Sequence, residues 1–182
     1  MGSTPVPQPA LDRMVPFAAH PVVVGVVPGQ DPLVVRTAAA LASALGVDLY
    51  AGYADTTRYT VDEHADGTVD HAALDPDGAG DDWRRTEAGL RTALADALGD
   101  GPPAWHLRYL AGRPDRALTH LARAVDASTL VVGTRAPGGG HRVRELLEGS
   151  VAAHLSHHQH RPVLTVPLAV VDWKEIPAPW AR

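Results

Sequence analysis

The sequence predicts an α/β domain, a mostly parallel sheet covered by helices on both faces, and three observations predict it. Segments rich in β-branched residues alternate with segments whose apolar residues recur at helical spacing. The run Val22-Val23-Val24-Gly25-Val26-Val27 has no polar alternation, as expected of a strand buried on both faces. Successive strand-like segments are separated by helix-length connections, which parallel crossovers need.

The elements follow in order. Residues 1–20 contain Pro5, Pro7, Pro9 and Pro16, which lack backbone donors and fix φ, so this stretch reads as a tail. The first strand starts after Pro21. Asp31 and Pro32 then offer a helix cap and a preset first residue, and an Ala/Leu-rich helix runs to Gly46, a natural left-handed terminator. Val47 to Tyr53 is the second strand. Residues 54–80 turn acidic and irregular and read as a surface insertion. Within it, Arg58 to Val61 and Thr68 to His71 flank the turn dipeptide Asp66-Gly67, the pattern of a small hairpin. Asp81 or Asp82 caps a second helix, with Leu90, Ala93, Leu94, Ala97 and Leu98 on one face and Gly99 as its stop.

Trp105 to Leu110 is the third strand. Ala117, Leu118, Leu121, Ala122 and Val125 mark one face of the third helix, and Ser128 to Val132 form the fourth strand, ending at Gly133. A glycine-rich loop follows, Thr134-Arg135-Ala136-Pro137-Gly138-Gly139-Gly140. Leu147, Val151 and Leu155 then form the stripe of a fourth helix, and Val163 to Val166 the fifth strand. Residues 21–167 form the domain, and residues 168–182, with Trp173 and Trp180, a C-terminal tail.

Composition removes several chemistries. The chain of 182 residues is 45% hydrophobic and 20% charged, ordinary for one globular domain with tails. With no cysteine it has no disulfide, thiolate metal cage or cysteine nucleophile. Sixteen Lys and Arg against 21 Asp and Glu give a net charge of −5, opposite to the footprint of nonspecific nucleic-acid binding. Lys174 is the only lysine, so a phosphate-binding or Schiff-base lysine would have to come from the C-terminal tail. The apolar stretch from Met14 to Val27 is broken by Pro16, His20 and Pro21 and is too short for a bilayer, so the cytoplasm is the expected compartment.

Val131-Val132-Gly133-Thr134-Arg135, the glycine-rich loop, Leu146-Leu147-Glu148-Gly149-Ser150-Val151 and His160-Arg161-Pro162-Val163-Leu164 together resemble the universal stress protein family. The resemblance spans roughly residues 21 to 167. It implies a Rossmann-like three-layer sandwich, similar to the adenine nucleotide alpha hydrolase fold, with five strands ordered 3-2-1-4-5. It also implies a homodimer through the last strand, here residues 163–166. In one branch of the family it implies ATP, with Mg²⁺ arriving only alongside the nucleotide, at the carboxyl ends of strands one and four. The other branch binds no nucleotide.

ATP-binding members carry Gly-x2-Gly-x9-Gly-Ser/Thr after strand four, where glycines let backbone approach phosphates and the next helix aims its amides at them. Gly133 matches the first glycine and Gly149-Ser150 the last pair. Ala136 stands where the second glycine belongs, and the spacer from Pro137 to Glu148 is three residues longer. Gly138, Gly139 and Gly140 can restore a backbone nest there. After strand one, where those members place an aspartate beside the adenosine, this chain has Val27-Pro28-Gly29-Gln30 and then Asp31. The expected nucleotide-binding residues are therefore Val27, Gly133, Thr134, Arg135, Gly138, Gly139, Gly140, Gly149, Ser150 and Val151.

The expected function is a stress-response regulatory module, not an enzyme, that binds adenine nucleotide at this loop. The alternatives are a homodimeric interaction protein that binds no nucleotide and docks an unidentified protein partner through its acidic insertion or tryptophan tail, and a slow ATPase using Arg135 or Arg142. Other clusters read as structural. His154 and His158 have a metal-compatible i, i+4 spacing, but no carboxylate lies between Ala152 and Arg161, and histidine suits a helix C-terminus. The acidic insertion lacks the oxygen pattern of a calcium loop. Gly149-Ser150-Val151-Ala152 is not a nucleophile elbow.

Overall fold

The structure, a computed structural model, describes residues 14–75, 80, 82–134 and 151–168. Its central sheet has five parallel strands: β1 (Val22–Gly25), β2 (Leu49–Asp55), β5 (Trp105–Ala111), β6 (Thr129–Gly133) and β7 (Val163–Val166). They lie in the order β5-β2-β1-β6-β7. Counted as the five strands of the sequence reading, that is 3-2-1-4-5. A separate antiparallel hairpin, β3 (Arg58–Glu63) with β4 (Val69–Ala73), occupies the acidic insertion.

The alternation of β1 explains the layers. Val22 and Val24 face one side and Val23 the other, all three fully buried. On the first side α1 (Leu33–Leu45) and α2 (Asp82–Leu98) cover Val22, Val24, Leu49, Ala51 and Val131, using Val34, Val35, Leu90 and Leu94. On the other, α3 (Pro114–Ala124) and α4 (Val151–His158) cover Val23, Leu110 and Leu130, using Leu118, Leu121 and Leu155.

The helix boundaries follow local chemistry. Asp31 Oδ1 accepts the Leu33 amide at 2.8 Å, so the expected cap acts while the helix begins one residue later than Pro32. Gly46 ends α1 in the left-handed conformation, and its amide reaches back to Ser43 O at 3.1 Å. Of the expected caps of α2, Asp82 is its first residue and Asp81 lies outside the described residues. Leu147 of the expected α4 stripe also lies outside them, while Leu155 is buried.

Gly67 is required by both its turn and its surroundings. Its φ is +81°, and a Cβ there would lie 2.5 Å from Leu121 Cδ1. The turn is closed by Asp66, whose Oδ1 accepts from the Thr68 amide at 3.0 Å and from its hydroxyl at 2.6 Å. The hairpin tip is thereby pressed against α3, and Arg108 Nε donates to Asp66 O at 2.9 Å while His120 and Glu63 meet at 2.7 Å. The insertion is thus anchored structure with an acidic outer surface. At the opposite end of the sheet the buried Arg161 donates from Nε to Ala127 O at 2.5 Å, tying the start of β7 to the approach to β6.

Candidate functional site

Strand order locates a crevice. From β1 the chain moves by α1 to β2 and then to β5 on one side, and α3 carries it back to β6 on the other side of β1. The carboxyl ends of β1 and β6 thus lie side by side, while α1 and α4, the next described helices, cover opposite faces of the sheet. In open α/β sheets ligands bind outside the carboxyl ends of strands at such a switch point.

Two short segments build this place. After Gly25, Val26 still donates to Gly52 O at 3.0 Å, but the strand is broken by a turn in which Gln30 N donates to Val27 O at 3.2 Å and Gly29 has φ +71°. This turn is why β1 stops short of the valine run. It leaves the Val27 side chain 55% exposed. Gln30 folds back, its Oε1 accepting from Val27 N at 3.3 Å.

On the other side is Gly133. A Cβ there would lie 2.8 Å from Val34 Cγ2, 3.1 Å from Leu168 Cδ1 and 3.2 Å from Gln30 Nε2. Only glycine lets β6 end this close to the first turn of α1, and the Gln30 side chain reaches across from the β1 turn to meet it. Thr134 is held from both directions, its amide donating to Val166 O at 2.8 Å and its Oγ1 accepting from Leu168 N at 2.7 Å. The result is a rim that, among the described residues, presents the exposed Val27 side chain and the Gln30 amide beside a backbone free of Cβ.

Of the expected site residues, Gly133 and Thr134 stand together on this rim, and Gln30 connects them to the turn that carries Val27. Val151 opens α4 and packs half-buried against the α3 side of the core. Arg135, Gly138, Gly139, Gly140, Gly149 and Ser150 lie outside the described residues. The Asp31 carboxylate is committed to the Leu33 amide of α1. His154 and His158 stack ring on ring, centroids 5.8 Å apart, and among the described residues no three His, Asp or Glu side chains are grouped to hold a metal.

The sequence reading missed a polar and aromatic cluster at the ends of β2 and β5. Tyr109 donates to Asp55 Oδ2 at 2.6 Å, Thr57 donates to Asp55 Oδ1 through its amide at 2.8 Å and its hydroxyl at 2.7 Å, and Arg58 Nε donates to His71 Nδ1 at 2.7 Å. The Trp83 ring, at the start of α2, lies edge-on to His71 at 4.8 Å and near Tyr109 at 5.7 Å. Partners so far apart in sequence leave no local pattern; Asp55, which reads in sequence as the first acid of the insertion, closes β2 in the structure two residues beyond the expected end at Tyr53.

Burial of Asp55 opposes its ionisation, but the hydrogen bonds from Thr57 and Tyr109 and the nearby Arg58 outweigh it and hold the carboxyl below its usual range. Burial, then the bond to Asp55, pushes the Tyr109 phenol well above its usual value. Burial, then Arg58, depresses His71. Because the folded Asp55 carboxyl titrates below its unfolded value, its stabilisation is full above the ordinary carboxylate range and is lost as pH falls through the folded value. Tyr109→Phe is therefore expected to cost about 1 kcal/mol at neutral pH, after discounting for the partial exposure of Asp55. Urea unfolding from neutral to acid pH checks this: the deficit should shrink as Asp55 protonates, whereas a constant deficit would mean lost packing.

Comparison with known proteins agrees with this architecture. The sequence matches the family model of the universal stress protein family over residues 19–167. A universal stress protein crystallised in complex with cAMP is 28% identical, covering 82% of this chain and 98% of its own, with a TM-score of 0.56. Structures of the same fold include a universal stress protein from Archaeoglobus fulgidus, 20% identical with TM-score 0.57 and covering 82% of this chain and 94% of its own. Another is UspA from Lactobacillus plantarum, 16% identical with TM-score 0.58 and covering 82% and 98%. No curated protein matches the sequence. With a family match running from the approach to β1 through the end of β7, and a sheet of the same fold, the chain belongs to the universal stress protein family.

Proposed function

We propose that this protein is a regulatory module that binds an adenine nucleotide in the crevice between the ends of β1 and β6, and signals by occupancy, not by catalysis. The observation that carries the reading is the rim itself, where Gly133 brings β6 against the first turn of α1 and the exposed Val27 and half-buried Gln30 stand beside it. The 28% identical structure with cAMP bound supports the same ligand class.

In this reading Val27 is the apolar platform under the base and Gln30 offers an amide to its polar edge. The segment beginning at Thr134 and Arg135 supplies the phosphate end, with Gly138 to Gly140 and Gly149-Ser150 as backbone donors. A polyphosphate brings Mg²⁺ with it. The Asp31 carboxylate is bonded to the helix amide and so is not poised to orient a water, which favours a sensor over an ATPase. We place the module in the cytoplasm; among the described residues no helix is long and apolar enough to cross a membrane. The assembly proposed is a homodimer through the open edge of β7, read by a protein partner.

Equilibrium dialysis with AMP, cAMP and ATP, each with and without Mg²⁺, tests the ligand. Saturable binding of at least one supports the proposal. No binding at millimolar nucleotide by the folded protein rejects it and leaves the interaction-module reading.

A further inference from the structure

A second concavity lies beside the crevice, between α1 and α2. It is an open groove of about 320 Å³, at the lower end of the range for ligand sites, floored by Val35, Leu90 and Leu94, walled by Ala93 and Ala97, and edged by Arg36. Its lining is mostly apolar, yet among the described residues no side chain fills it. Arg36 spans one end, donating from Nε to Ala97 O at 3.2 Å.

The end of the described chain points to an occupant. Leu168 packs on the same core cluster as Val35, Leu90 and Leu94, with Cδ1 3.1 Å from the Cβ position of Gly133, over the first turn of α1. Residues 169–182 continue from there, and in Val171-Asp172-Trp173-Lys174 apolar and charged residues alternate. Trp173 is five residues beyond Leu168, a reach of roughly 17 Å when extended. Packed helices stand about 8–10 Å apart, so the groove next to Val34 and Val35 is within that reach. An indole buries a large apolar area with only two side-chain torsions to fix. Arg36 and Asp96 at the rim match the charges of Asp172 and Lys174.

We propose that the segment 169–182 folds back along its own domain and seats Trp173 in the groove between α1 and α2. The groove shares Val27 and Gln30 with the crevice, so the seated segment abuts the rim of the proposed nucleotide site.

Lys174 makes the test specific, because a protease that cuts only after lysine has a single site in this chain. Its rate on the full chain is compared with that on a synthetic peptide of residues 169–182. The folded protein should be cut at least tenfold more slowly. Ala93→Arg fills the groove from an exposed helix position and should restore a rate near that of the peptide, whereas Ala95→Arg, also exposed but outside the lining, should leave the protection unchanged. Circular dichroism of both variants confirms that the domain remains folded. Cleavage of the wild type at the peptide rate overturns the proposal, as does protection that survives Ala93→Arg. Protection that vanishes on dilution would place the segment on a second copy and overturn the intrachain docking.

Discussion

Gly133→Val is expected to lower the unfolding free energy by about 1–3 kcal/mol and to abolish nucleotide binding in the fraction that stays folded. The added side chain would begin 2.8 Å from Val34 Cγ2, and Val34 is fully buried, so the first turn of α1 must shift or β6 must pull back. The Gln30 amide, 3.2 Å from the same position, would be displaced from the rim. Urea unfolding reads the first effect, and dialysis on protein shown to be folded reads the second. Gly133→Ala adds one methyl at the same place and should show a smaller loss of both. Full affinity in folded Gly133→Val would mean that the ligand does not use this end of β6.

Thr165→Pro should convert the proposed dimer to a folded monomer, and the register of β7 says why this position is the informative one. Leu130 N donates to Pro162 O at 3.0 Å and Thr134 N to Val166 O at 2.8 Å. In a parallel ladder the backbone groups of alternate residues face the same neighbour, so Pro162, Leu164 and Val166 face β6. Val163 and Thr165 turn their amides and carbonyls to the open edge, where Leu164 also stands 41% exposed. Proline at 165 removes an outward amide without removing one from the ladder to β6. Proline at 164 would remove a bond within the sheet and damage the fold itself. Light scattering on Thr165→Pro decides the matter, and a dimer of unchanged stability would place the contact elsewhere.

The layers of this fold are legible in the sequence because they rest on local rules. The unbroken valines of β1 announce burial on both faces. Gly46 and Gly99 mark helix ends by their left-handed conformation, at φ +67° and +66°. Asp66-Gly67 gave the hairpin, and the structure adds why it is held, since Gly67 is pressed against Leu121 of α3. The candidate site is legible only in outline. Gly133 reads in sequence as a phosphate glycine, and in the fold it is needed first for the approach of β6 to Val34. Gln30 carried no signal, because its role depends on a turn that folds it back to Val27 and across to Gly133. The Asp55, His71, Trp83 and Tyr109 cluster is similarly hidden, its members brought together by β2, β4, α2 and β5.

Backbone amide shifts on titration with AMP, cAMP and ATP test the central claim most directly, because they report where a nucleotide sits as well as whether it binds. The account predicts the largest changes at Val27, Gly29, Gln30, Gly133 and Thr134, with the hairpin tip around Gly67 and the strand β7 little affected. Changes confined to the Asp55 and Tyr109 end of the sheet, or none at those five amides while nucleotide is bound, would contradict it.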